Sequence, residues 1–72
     1  MKYTVKQYFN GIHWDDSYTD KKAEAEEWKV YMENKNRSIW NRVNWDALEW
    51  FIEYFKIADV ESIEIKVKIV EN

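Results

Sequence analysis

His13-Trp14-Asp15-Asp16 is the one place in the chain where a histidine meets carboxylates. Alternation along a strand puts His13 and Asp15 on the same side, two residues apart, within reach of a common cation. No third ligand stands at a useful spacing, and polar residues are expected just after a tight turn. Neither a metal centre nor an acid/base pair is therefore expected there.

Other candidates fare no better. Glu24, Glu27 and Glu33 in one helical segment, with Glu49 and Glu53 in another, contain the raw material of a general-acid pair. A charged, solvated helix face explains them more simply. The single glycine, Gly11, is consumed by a turn, which leaves no glycine-rich loop to cradle phosphate. The lone histidine has neither Ser nor Cys at a diagnostic spacing. No enzyme and no cofactor are expected.

Lys35, Arg37, Trp40 and Arg42 interleave basic and aromatic residues as single-stranded nucleic-acid sites do. Three charges make a small patch, and a solvated connector with Trp40 tucked into the core accounts for it. Weak single-strand binding centred on Trp40 and Arg42 is the alternative.

The elements that must position these residues can be read from periodicity. Lys2 to Phe9 is rich in strand formers, and Asn10-Gly11 is suited to a two-residue type I′ hairpin turn. That register sets Phe9 against Ile12, Gln7 against Trp14, Val5 against Asp16 and Tyr3 against Tyr18 on one face, with Lys6 facing Asp15 on the other. Gln7 and Asp16 spoil the apolar face, which predicts a bulge near Asp15-Asp16 or an early end to the second strand.

Asp20 is the expected N-cap of a helix reaching Asn34, with Ala25, Trp28 and Met32 as its apolar stripe. Ala23 and Val30 fall on its other side. Asn34-Lys35-Asn36 breaks the pattern, and Ser38 to Val43 is compatible with strand, loop or helix start. Asn44 is the expected cap of a second helix from Trp45 to about Ala58. Its core stripe is Leu48, Phe51, Ile52 and Phe55, with Trp45 alongside. Ala47, Trp50, Tyr54, Ile57 and Ala58 widen the apolar arc past half the circumference, so this helix needs cover on two sides. Packing on the first helix would provide it. The other outcome is an interface built on Trp50, Tyr54 and Ile57, either with a partner or in a homodimer.

Ser62 to Val70 alternates cleanly, with Ile63, Ile65, Val67 and Ile69 pointing one way. The order ββααβ implies one α+β domain over residues 1–72, a three-stranded antiparallel or mixed sheet carrying both helices on one face.

Composition sets the class of partner. Apolar residues make up 46% of the 72, with five Trp, five Tyr and three Phe, so the chain is expected to fold despite 35% charged residues. A chain this short buries only about 60% of its unfolded surface, and with no cysteine it has no disulfide to compensate. No apolar run approaches the roughly 18 residues of a membrane span, and Met1-Lys2 leads into an alternating segment and not a signal-peptide core. A cytoplasmic protein without membrane contact is expected.

The net charge of −3 opposes attraction to phosphate backbones, making nucleic acid an unexpected ligand. Seven acids against three lysines between Asp15 and Glu33, and again between Asp46 and Glu71, flank the short basic connector.

YTVKQYFNG at residues 3–11, the following DDSYTD and the helical KKAEAEEW resemble the hairpin-plus-helix opening of small accessory proteins of phages and mobile elements. Size, acidity and absence of cysteine are similar as well, and the Lys, Asn, Ile and Tyr usage fits an AT-rich genome. The resemblance covers the first half and implies an inhibitor that occludes a site on a bacterial protein, as anti-CRISPR and anti-restriction proteins do. It carries no functional residue across.

The expected role is thus a non-enzymatic protein-binding inhibitor or regulator using Glu24, Glu27 and Glu53 with the exposed aromatics. Where the target binds nucleic acid, these acids would take the place of phosphates. A homodimeric structural or designed domain is the rival. Against design stand the irregular NKNRSIWNRVN connector and helices without glycine C-caps.

Overall fold

Asn10 and Gly11 both adopt positive φ, 51° and 82°, and the chain reverses there as the turn chemistry dictates. The computed structural model describes residues 1–36, 38, 40 and 42–72, those at 42 and 43 by backbone alone. In chain order the elements are β1 (Tyr3–Phe9), β2 (Ile12–Thr19), α1 (Lys22–Glu33), α2 (Arg42–Phe55), a 3₁₀ turn (Val60–Ser62) and β3 (Ile65–Glu71). The sheet has three antiparallel strands in the order β2-β1-β3, and the fold is α+β with the expected ββααβ order.

The hairpin register departs from the expected one after two residue pairs. Phe9 faces Ile12 and Tyr8 faces His13, but then Gln7 faces Asp15, Val5 faces Ser17 and Tyr3 faces Thr19. Trp14 is the extra residue of a bulge, one position before the expected site. Because side chains alternate with period two, this slip exchanges the two faces of everything that follows. Ser17 and Thr19 take the inward positions that the unbulged register would give Asp16 and Tyr18. Asp16 instead faces Lys6 and accepts a hydrogen bond from His13 Nε2 at 2.7 Å, while Tyr18 is exposed. Burying a carboxylate beside Val5 would cost several kcal/mol; the bulge moves Asp16 away from that position and brings Asp15 inward instead, half-buried opposite Gln7 on the edge strand.

Val5, Gln7 and Phe9 of β1 and Ile65 and Val67 of β3 form the inner face. They meet Ala25 and Met32 of α1, Leu48 and Phe51 of α2, and Trp40 and Ile63 in one core. Each large side chain buried here stabilises the fold by about 1.5–3 kcal/mol. The strand expected from Ser62 begins only at Ile65, since Asp59 caps the 3₁₀ turn by accepting from Glu61 N at 2.9 Å.

Asp20 does not cap α1. Its Oδ1 accepts from Lys2 N, and Lys21 holds the N-cap position without a side-chain bond. α1 lies over β3 and β1, and there it closes the free edge of β3. Glu33 Oε2 accepts from Val67 N at 3.0 Å, and Lys29 Nζ donates to Val67 O at 3.0 Å and to Glu33 at 2.9 Å. A sheet edge satisfied by helix side chains is closed to further strands at that point.

α2 starts two residues before Asn44, which is not a cap. Asn44 is buried, and its Oδ1 accepts from Ser17 Oγ at 2.8 Å and from Gln7 Nε2 at 3.2 Å. α2 packs on β2, and among the described residues the two helices contact each other only marginally.

Candidate functional site: the aromatic face of the second helix

α2 has an apolar arc wider than one contact surface can cover, and with α1 over β3 and β1 no second cover arrives from the described residues. Leu48 and Phe51 are buried, but Trp50 is 71% exposed, Tyr54 73% and Phe55 43%. Two expectations are corrected here. Phe55 is not core, and the Trp50/Tyr54 stripe is not packed on α1. Ile57, the third member of that stripe, lies past the helix end and packs partly buried against the core. There Lys56 takes φ 53°, with Lys56 N donating to Glu53 O and Ile57 N to Ile52 O. This two-bond helix ending turns the chain inward and removes Ile57 from the surface stripe.

Trp14 completes the patch from the sheet. As the bulge residue it points at α2, where Nε1 donates to Ala47 O at 2.9 Å. Its ring stands edge-on to Phe51 at 5.0 Å and lies 5.9 Å from both Tyr54 and Phe55. A cleft of about 470 Å³ opens among Trp14, Asp15, Asp46, Ala47 and Trp50. An adjoining hollow of about 570 Å³ is lined by Trp14, Trp50, Glu53 and Tyr54.

The bulge also separates the two residues that could share a cation. His13 is on the outer face, 5.2 Å from the Tyr8 ring and bonded to Asp16. Asp15 pairs with Gln7 and lines the cleft. Burial raises the pKa of Asp15, reinforced by the neighbouring Asp16 charge and only partly offset by a backbone hydrogen bond and by His13. Its Oδ2 is shut from solvent and finds no donor. Among the described residues no group of three or more His, Asp or Glu could hold a metal ion.

The remaining expected residues are dispersed. Glu24 is half-buried and Glu27 exposed on α1, whereas Glu53 stands on α2 beside the aromatics, so these acids are divided between two helices. Trp40 is 7% exposed, its Nε1 donating to Tyr31 O and its ring edge-on to Trp45 at 5.5 Å. It offers no platform for a base. The side chain of Arg42 and the whole of Arg37 lie outside the described residues.

Sequence reasoning did not include Trp14, Asp15, Asp46 and Phe55 in the patch. The signal for the first two was the spoiled alternation at Gln7 and Asp16, which placed a bulge within two residues of Trp14. Comparison with protein-family models, with curated proteins and with solved structures yields no match to this chain. No helix of the described residues is long and apolar enough to cross a membrane.

Proposed function

We propose that this protein acts by binding another protein through the aromatic face of α2, without catalysing a reaction. The observation that carries the reading is the pair Trp50 and Tyr54, each more than two-thirds exposed next to a Trp14 ring held in place by Ala47 and Phe51. Large aromatic side chains left in water on a small domain cost solubility and, at an interface, supply most of the binding energy. The acids around them favour a partner with basic residues. An inhibitor or regulator of a bacterial protein whose own ligand is nucleic acid fits that charge, since such a protein presents Lys and Arg that carboxylates can occupy.

The test is affinity capture from bacterial lysate with the wild-type chain and with Trp50→Ala/Tyr54→Ala, quantified by mass spectrometry. Both positions are exposed, so the double variant keeps its fold. A protein retained by the wild type and lost from the variant supports the reading. An identical set of captured proteins from both chains refutes it.

A further inference from the structure

A face made only of tryptophan would accept any apolar partner, but among the described residues lining the cleft between Trp14 and Trp50 every charged one is acidic. Asp15 and Asp46 line it, and Glu53 borders the adjoining hollow against the same two indoles. Among the described residues lining the two hollows there is no lysine or arginine. The Asp15 carboxylate is half-buried, with one oxygen away from solvent and without a donor. Its charge is therefore poorly screened from the cleft. Indole faces attract cations through their electron-rich rings, and the Trp14 ring is already fixed by its bond to Ala47 O, so little reorganisation accompanies binding. A phosphate or carboxylate ligand would meet three acids.

We propose that this cleft receives an arginine side chain of the protein partner, its guanidinium set against the Trp14 and Trp50 rings and its N–H groups directed toward Asp46 and Asp15. The proposal rests on α2 being the protein-binding face. Arginine fits better than lysine because a planar, weakly hydrated guanidinium stacks on an indole while its donors serve two carboxylates at once. An ammonium is compact and strongly hydrated, and loses more on leaving water.

The full chain is titrated with acetyl-Gly-Arg-Gly-amide and with its lysine and citrulline counterparts, following the indole N–H resonances by NMR. The arginine peptide is expected to shift the Trp14 and Trp50 signals at millimolar concentration, the lysine peptide less. Citrulline, the same shape without charge, is expected to leave them unmoved. Trp50→Ala weakens arginine binding about fivefold. Asp46→Asn weakens it too and flattens its salt dependence.

Equal shifts from arginine and citrulline, or arginine binding unchanged in Trp50→Ala, would overturn the proposal. A lysine peptide bound as tightly as arginine overturns the arginine assignment. Absence of any shift, with partner capture still lost in Trp50→Ala/Tyr54→Ala, removes the arginine cleft and leaves α2 standing as the binding face. Retained capture in that variant removes both.

Discussion

Lys35 and Lys56 sit at φ 56° and 53°, each just past the end of a helix. There the amide of the lysine and that of the next residue close on the last turn. A residue with a Cβ is strained in that left-handed region, where glycine is not. Lys35 has a compensating role, since its Nζ donates to Val60 O and Glu61 O, whereas Lys56 is exposed. Lys56→Gly is therefore expected to stabilise the fold by about 1 kcal/mol and to raise the thermal midpoint by roughly 5 °C for a chain of this size.

Two carboxylates carry opposite pH signatures. Burial acts to raise the pKa of Glu33, but the hydrogen bonds from Lys29 and Val67 N outweigh it and hold the group below the usual carboxylate value. A depressed folded-state pKa contributes stability above the unfolded value, and that contribution is lost as pH falls through the folded one. Glu33→Gln should thus cost about 1 kcal/mol near neutrality, kept small by the exposure of the pair, and nothing in strong acid. Asp15 is raised, so its ionised form opposes folding at neutral pH and relief comes as pH falls through its folded value. Asp15→Asn should stabilise the protein near neutrality while weakening arginine binding in the cleft. Urea denaturation of both variants across acid and neutral pH checks the two signs together.

At the scale of elements, α2 is fixed to the sheet by the buried Gln7 and Asn44 and half-buried Ser17 side chains and by the Trp14 indole. All of these meet only because the bulge turns Ser17 inward. Asn44→Ala removes the acceptor for Gln7 Nε2 and Ser17 Oγ, and a destabilisation of about 1–3 kcal/mol is expected, measurable by chemical denaturation. A loss below a few tenths would mean the network does not anchor the helix. The hairpin turn, both helices and the C-terminal strand were legible because each shows its own period or turn chemistry within a dozen residues. The register of β2 was not fully legible, because the bulge gives up one local hydrogen-bonded pair and decides whether Asp15 or Asp16 turns inward, a tertiary balance. The exposure of Trp50 and Tyr54 was not legible either. It depends on α1 being drawn to β3 by Lys29 and Glu33, partners 38 and 34 residues distant from Val67. Asn44 misled for a related reason: its side chain suits a cap, but the buried polar groups of β1 and β2 claim it.

For the whole molecule, the aromatic patch must choose between a second copy and a different partner. In a two-fold symmetric contact the same surface meets itself, so Asp46, Glu49 and Glu53, all exposed on α2, would face their own copies around Trp50. Like charges around a small patch disfavour that arrangement. Sedimentation equilibrium at micromolar concentration should return a monomer, with a thermal midpoint independent of protein concentration. A dimer dispersed by Trp50→Ala would establish the self-association instead.

The central claim, that α2 presents the binding face, is tested most directly by site-specific photo-crosslinking in bacterial lysate. A photoreactive phenylalanine replaces Tyr54 on α2 in one chain and Val30, also exposed but on α1, in another. Covalent adducts of a discrete partner are predicted from position 54 and not from position 30. Adducts from position 30 alone, or the same adducts from both, would contradict the account.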